Sequence, residues 1–375
     1  MKALFLHFFG LRDFSGISRK ILYQIDAIKN CGIDVTFCYV DIDENGVQRR
    51  MCSNEEIDNF GNGFVSKFGK WLLFKNLTNY ILKNDIKLVY VRSFYNANPM
   101  LLRMFSKLKK RGVKVVVEYP TYPYDEETKR EHYKYKPIFL FNRIFRKFLK
   151  NRIERIVTFT NLPVIDGVRT INISNAIDFK DVKLLKYEPH GDTFNLLGVA
   201  EVHFWHGYDR VVAGLADYYG NPLNTKEVHF HVVGSGAEAD LAWLKEFTIQ
   251  KGMERFVHFH GNKRLEELDN FFNIADFGIA SLARHRTGIT YIKTLKNREY
   301  AARGIPFIYS EIDEDFENMP YVIKAPADES PLDILKIIRF REGLSITSHE
   351  IRESIKGKLS WDVQMKKVVD ELFTN

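Results

Sequence analysis

Along almost the whole chain, short apolar runs rich in β-branched and aromatic residues alternate with longer stretches whose apolar positions recur at helical spacing. Lys2–Phe9 reads as a strand, and Gly16–Asn30 as a helix with Ile17, Ile21, Ile25 and Ile28 on roughly one face. Strands follow at Ile33–Val40 and Lys87–Val91, with a helical region at 64–83 between them. A helix at about 98–111 leads to a strand at Val113–Glu118, and strands near Arg155–Phe159 and Thr170–Ile173 close this first series. Strands that are apolar throughout imply a parallel sheet covered on both faces.

A second series starts after the charged stretch Lys183–Asp192. Its strands read as Thr193–Val199, Glu227–Val233, Phe256–His260, Phe277–Ala280 and Pro306–Tyr309. Helices fall at Asp209–Tyr219, 237–250, 265–273 and 295–303. The spacing predicts an α/β chain of two Rossmann-like, doubly wound domains, 1–180 and 193–358. A closing segment, 359–375, holds an amphipathic helix at Trp361–Phe373 with Ser360 as N-cap, expected to pack back towards the first domain. A length of 375 residues suits two domains. In such folds ligands bind beyond the carboxyl ends of the strands, which predicts a site in the cleft between the two domains.

Composition removes other classes. With 45% hydrophobic residues, 27% charged residues and 11 prolines, the chain is neither disordered nor collagen-like. Cys31, Cys38 and Cys52 are odd in number and form no CxxC, which argues against a disulfide framework or a cysteine zinc site and for a reducing cytosol. No apolar run reaches the roughly 18 residues of a membrane span. The first ten residues fail as a signal peptide: His7 interrupts the apolar stretch, Arg12 and Asp13 close it, and no A-x-A-like site follows.

The formal charge of +7 is localised. Residues 129–155 hold ten Lys or Arg against Glu131 and Glu154, so the remainder of the chain is close to neutral. Within this segment Ile138, Phe141, Phe145 and Phe148 recur at helical spacing with cations between them. Such a helix either packs its phenylalanines on the sheet or lies on an anionic membrane surface. No nucleic-acid recognition motif accompanies it.

Several motifs carry candidate chemistry. The Gly10…Ser15-Gly16 turn joins the first strand to a helix, either as a tight turn or as an anion-binding helix start. Gly234-Ser-Gly236-Ala-Glu-Ala239 fits G-x-G-x-x-A, but it lies midway through the second series without the acidic partner of a dinucleotide site. His229, His231, His258 and His260 form two H-x-H pairs on neighbouring strands with no carboxylate to complete a metal site, so packed strand histidines are expected and no metal. Asp41-Ile-Asp43 and Asp313-Glu-Asp315 are D-x-D patterns of a kind common in surface loops. The richest stretch, Ala283 to Pro306, places Arg284, Arg286, Lys293, Lys296 and Arg298 after a strand and starts a helix near Thr294. Cations at a helix N-terminus suit a polyanion, and Glu299, one turn in, suits ribose hydroxyls.

At these residues the chain resembles the retaining GT-B glycosyltransferases often labelled group 1 or family 4. The resemblance runs through Gly16-Ile-Ser-Arg-Lys, Ile173-Ser-Asn-Ala-Ile-Asp178, Val233-Gly-Ser-Gly236, Val257-His-Phe-His-Gly261 and Leu265-Glu-Glu-Leu268. It is strongest in Leu295-Lys-Asn-Arg-Glu-Tyr-Ala-Ala-Arg-Gly-Ile-Pro306. Phe204–Arg210 and Glu118–Asp125 are similar to a subgroup of capsule and surface-polysaccharide transferases. The resemblance implies transfer of a sugar from a nucleotide diphosphate to a glycan or polyprenyl-diphosphate-linked hydroxyl, with retention and without a metal or other cofactor. It places Gly16, Gly234, Thr294, Leu295 and Glu299 at the donor. Of the family's two glutamates the first falls on Tyr291, and its diphosphate-holding Arg and Lys fall on Glu201 and His206. The expected replacements are Arg210, Arg286 and Lys296. Glu118, Tyr122 and Asp125 are either acceptor contacts or part of a rigid Pro-containing loop. The expected location is the cytoplasm, at the inner face of the cell membrane if the basic segment binds lipid. The broken positions leave a second reading open, a catalytically silent nucleotide-sugar-binding protein.

Overall fold

The structure, a computed structural model, describes residues 1–11, 16–64, 66–125, 135–185 and 191–373. The chain forms two compact units. Unit 1 comprises the residues up to Ser174 and the chain from Trp361 onward, and unit 2 spans Asn175–Ser360.

Unit 1 runs β1 (Lys2–Leu6), α1 (Gly16–Asn30), β2 (Asp34–Ile42), β3 (Gln48–Cys52), β4 (Glu55–Gly61), α2 (Ser66–Leu72) and α3 (Lys75–Lys83). It continues with β5 (Leu88–Arg92), α4 (Pro99–Lys109), β6 (Lys114–Tyr119), α5 (Lys136–Phe145), a 3-10 turn at Arg146–Asn151, β7 (Arg155–Thr158), β8 (Val164–Ile165) and β9 (Val168–Asn172). The sheet order is β4-β3-β2-β1-β5-β6-β7-β9-β8. Its middle, β2 to β9, is parallel, and its strands are apolar because both faces are covered: every residue of β5 is buried. The β3–β4 hairpin was not expected from the sequence. Its residues are polar, and it survives as an antiparallel edge because Arg50, buried in the hairpin, pairs with Asp58 and donates to the Lys70 carbonyl at 3.1 Å.

Unit 2 runs β10 (Thr193–Val199), α6 (Tyr208–Tyr219), β11 (Glu227–Val233), α7 (Glu238–Gln250), β12 (Val257–Gly261), α8 (Leu265–Asn273) and β13 (Phe277–Ile279). There follow α9 (Leu295–Arg303), β14 (Phe307–Tyr309), β15 (Val322–Lys324), α10 (Ile334–Glu342) and α11 (Ser348–Lys356). Its six strands, in the order β12-β11-β10-β13-β14-β15, are all parallel. Right-handed crossovers through helices are how a parallel sheet of this kind is wound.

The units divide at 174/175, ahead of the charged stretch expected to separate them. The reason is packing: Ile177 and Leu185 are buried in unit 2, where Ile177 N–H donates to Leu359 O at 2.9 Å and Leu185 N–H to Arg303 O at 3.1 Å. Residues 186–190 of that stretch lie outside the described residues. The closing helix α12 (Trp361–Phe373) belongs to unit 1, burying Trp361, Met365, Val368 and Leu372. It packs on α1, and the Gln364 side-chain oxygen accepts the Ser174 N–H at 2.8 Å.

Candidate functional site

The carboxyl ends of β10, β13 and β14 in unit 2 bring together the turn at His203–Gly207, the segment after Ser281, the start of α9 and the pair Ser310–Glu311. The backbone laces these pieces tightly. Leu282 N–H donates to His206 O at 3.0 Å, Ser310 N–H to Ser281 O at 3.0 Å, and Ile312 N–H to Thr290 O at 2.7 Å. Gly207 is required where it stands: its φ is +66°, and a Cβ would lie 2.9 Å from Leu282 Cβ.

Within this region polar side-chain atoms are enclosed without hydrogen-bond partners. They include the Ser281 and Ser310 hydroxyls, the Thr294 hydroxyl, the Tyr208 hydroxyl and the Lys296 ammonium. Both carboxylate oxygens of Glu311 are also enclosed without a side-chain partner. Folded proteins rarely leave such groups unmatched, because each one costs about 1–3 kcal/mol, and more when charged. Burial pulls Lys296 well below the usual lysine range, with Arg284 adding to the effect. Burial pushes Glu311 up to about 7. His206 is held neutral by burial and by the neighbouring Lys296 and Arg284, and its Nδ1 accepts the His203 N–H at 3.0 Å.

The start of α9 is pinned from below. Arg298, fully buried, donates to the Asn175 carbonyl at 2.9 Å and to the Thr294 carbonyl at 2.9 Å, and it is clasped by Asp313 and Asp315. Asp313-Glu-Asp315 is therefore not a solvated surface loop: Asp313 is fully buried as the counter-charge of Arg298. Thr294 is the N-cap residue of α9, yet its hydroxyl makes no capping bond, and Leu295 opens the helix. Glu299 sits one turn in and meets Arg303 at 3.4 Å.

The other expected site residues are committed to protein partners, serve packing or lie elsewhere. Arg210 lies in unit 2 but is committed: Nε donates to Ser330 O at 2.8 Å, and its other nitrogens reach the Leu282 and Pro326 carbonyls and Asp328. Arg286 is held by Asp209 at 2.7 Å, by Glu329 and by the Phe204 carbonyl at 2.7 Å, so its charge is already matched. Gly234 and Gly236 serve packing, since a Cβ on Gly234 would lie 1.8 Å from Ala200 O and one on Gly236 2.0 Å from Val202 O. Gly16 opens α1 with open space around it, and the turn before it lies outside the described residues.

In unit 1, Glu118 has no solvent exposure and is not an exposed acceptor contact. It accepts from Tyr90 at 2.6 Å and Gln24 at 2.7 Å, and it pairs with Arg92 and with Lys20 at 3.7 Å. Burial alone would raise its pKa, but Arg92, Lys20 and the two hydrogen bonds outweigh it and lower it. Tyr122 packs among Tyr119 and Tyr124, and Asp125 takes a two-pronged contact from Arg146 at 2.9 and 3.1 Å.

The strand histidines form a ladder. His229 meets His258 and His231 meets His260, each pair at 3.0 Å between ring nitrogens, and Asn195 reaches His231 at 3.2 Å. Among the described residues, no group of three or more His, Cys, Asp or Glu side chains is arranged to hold a metal ion. Glu311 was missed in the sequence; the available signal was an acidic residue just past the end of a buried parallel strand.

The architecture matches solved structures along its whole length. Sucrose-phosphate synthase from Thermosynechococcus elongatus superposes with a TM-score of 0.69 at 15% sequence identity, covering 99% of this chain and 98% of that one. HepE from Anabaena, solved with UDP, gives 0.65 at 13% identity, with 100% of both chains covered. A glycosyltransferase from Rickettsia africae gives 0.63 at 14% identity, covering 100% and 99%. The chain thus has the GT-B fold. No protein-family model matches the sequence, and no curated protein does.

Proposed function

We propose that this chain is a glycosyltransferase that moves a sugar from a nucleotide-diphosphate donor to a hydroxyl of a glycan or lipid-linked acceptor, with retention, in surface-polysaccharide synthesis. The carrying observation is the enclosed Lys296 side-chain nitrogen at the start of α9, which has no hydrogen-bond partner and which an arriving diphosphate would hold in its protonated form. A cation and helix N–H groups at the carboxyl end of a parallel sheet suit a diphosphate. The GT-B neighbours support the donor class, since HepE was solved with UDP and with UDP-glucose.

In this reading charge develops on the departing diphosphate, and groups already oriented towards it lower the barrier. Arg210 and Arg286 are matched by protein partners, so the work falls to Lys296 and the N–H groups of Thr294 and Leu295, with Arg284 adding positive charge nearby. Glu299, one turn into α9, takes ribose hydroxyls in this reading. The reading uses side-chain cations and invokes no metal ion or other cofactor. Tyr122 and Asp125 remain acceptor-side candidates.

The site of action is proposed to be an anionic membrane surface. No helix among the described residues is long and apolar enough to cross a membrane. On α5 and the following 3-10 turn, Leu140, Phe141, Ile144 and Phe148 are exposed, flanked by exposed Lys136, Arg143, Lys147 and Lys150. The expected stripe divides, because Ile138 and Phe145 turn inward onto the core. Exposed apolar side chains between cations suit an interfacial helix. Lys129, Arg130 and Lys134 of the basic segment lie outside the described residues.

The deciding experiment is a panel of nucleotide sugars scored for thermal stabilisation and for donor hydrolysis or transfer. Turnover is expected with at least one, and Lys296→Met should weaken nucleoside-diphosphate binding by roughly tenfold or more. A parent protein that binds and turns over none of the panel would rule the reading out. Binding without turnover would favour the silent nucleotide-sugar-binding protein, for which the protein-matched Arg210 and Arg286 speak.

A further inference from the structure

Glu311 is an unusual carboxylate. It is 2% exposed, yet no side chain hydrogen-bonds to either of its oxygens. Its backbone is held on every side: Ser310 N–H donates to Ser281 O at 3.0 Å, Ile312 N–H to Thr290 O at 2.7 Å, and the Lys324 ammonium donates to the Glu311 carbonyl. The side chain is thus carried on a rigid base, and it reaches no side-chain donor. Lys296 faces the same problem with the opposite sign, and the two groups feel each other without touching.

A buried structural carboxylate is normally paired, as Glu118 and Asp313 are in this same chain. A buried carboxylate left without a donor on a fixed backbone is a receptor for a donor that arrives with a ligand. Phosphate brings only acceptor oxygens and negative charge, so it belongs on Lys296 and Arg284. A sugar hydroxyl brings an O–H, which a carboxylate accepts.

Building on the proposed donor binding, we propose that Glu311 accepts a hydroxyl of the transferred sugar and selects the sugar while Lys296 takes the diphosphate. Asp313, the other buried acid close by, is already paired with Arg298, which leaves Glu311 as the buried carboxylate without a side-chain donor among these residues. Its protonation follows from the charged groups around it. Arg284 and Lys296 favour the carboxylate, while burial and Asp313 disfavour it and push it up to about 7. A donated hydroxyl hydrogen bond favours the ionised form, so the preference for sugar should be larger at pH 8 than at pH 6.

The test compares UDP, GDP and dTDP with UDP-glucose, UDP-N-acetylglucosamine, GDP-mannose and dTDP-rhamnose, by calorimetric titration of the unaltered 375-residue chain and of Glu311→Gln. The expected result is that Glu311→Gln still binds the nucleoside diphosphate, while the extra affinity conferred by the sugar falls tenfold or more. If Glu311→Gln keeps that extra affinity, the assignment of Glu311 is overturned while donor binding stands. If the parent binds none of the seven, donor binding itself fails and takes this assignment with it. Deoxygenated donors on the unaltered protein give an answer that does not depend on the variant folding. One hydroxyl position should weaken binding tenfold or more when removed, and indifference to every deoxy donor overturns the proposal.

Discussion

Arg298 and Asp313 hold one another without solvent contact: both side chains are fully buried, and Nη2 of Arg298 donates to Oδ1 of Asp313 at 2.9 Å. This clasp ties the first turn of α9 to the loop after β14, and those two elements carry Lys296 and Glu311. Breaking a buried ion pair strands a charge, which costs about 3–5 kcal/mol. Asp313→Asn should therefore lower the stability of unit 2 by roughly that amount in urea unfolding, with a matching loss of nucleotide affinity. A change below about 1 kcal/mol would mean that the clasp does not support the site.

The Glu118 network makes a similar demand of unit 1. Glu118→Gln leaves Arg92 and Lys20 enclosed without their counter-charge, and the expected loss is about 3 kcal/mol or more. Glu118 has a lowered pKa in the folded state, so the unfolded chain takes up its proton first as pH falls. Its contribution is complete above the ordinary glutamate range and is lost on acidification through and below it. Urea midpoints for parent and variant should converge as pH is lowered; a constant gap would contradict the assignment.

The histidine ladder predicts acid sensitivity in a higher window. Burial, then the neighbouring histidines, pulls His231 down to about 4, and burial and its neighbours also lower His258 and His260. Between pH 6.5 and about 4 the unfolded chain binds protons that the folded chain refuses, so stability falls as pH falls through that window. Allowing for partial solvent contact, about 2 kcal/mol is expected. His231→Gln should flatten the dependence, and an unaltered slope would show that the ladder is not its source.

Vesicle binding tests the exposed stripe on α5. Each Lys or Arg near an anionic surface is worth about 1 kcal/mol, so Arg143→Glu/Lys147→Glu/Lys150→Glu should weaken binding to phosphatidylglycerol vesicles roughly hundredfold or more. Arg146 is left out because its charge is taken by Asp125 and Asp166. Phe141→Ser/Phe148→Ser should weaken binding on neutral and anionic vesicles alike. Equal sedimentation of parent and charge-reversed protein would remove the membrane from the account.

Gly234 offers a test of packing alone. A Cβ there would overlap Ala200 O at 1.8 Å, and φ is +128°, so Gly234→Ala should destabilise unit 2 by about 3 kcal/mol or more. A drop in melting temperature without a change in relative ligand preference is expected. A selective loss of nucleotide binding at full stability would return Gly234 to the donor site.

Local pattern was enough for β1, β2, β5 to β7 and β9 to β14, for the helical segments up to α9 and for α12, because a strand buried on two faces must be apolar throughout and a covering helix must carry a stripe at 3.6-residue spacing; β8, β15, α10 and α11 were not read from it. It was also enough to point to the segment 283–306. Three things were decided only by the tertiary structure. The polar β3–β4 hairpin depends on a partner strand and on the buried Arg50–Asp58 pair, neither of which a local window contains. The role of each cation depends on what it meets: Arg210, Arg286 and Lys296 are all basic residues near one end of unit 2, but carbonyls and carboxylates from 43 to 120 residues away claim the first two and leave the third enclosed. Glu311 and Glu118 differ in the same way. A charge is visible in sequence, but whether it is satisfied depends on residues brought beside it by the fold, and that decides whether it supports the structure or waits for a ligand.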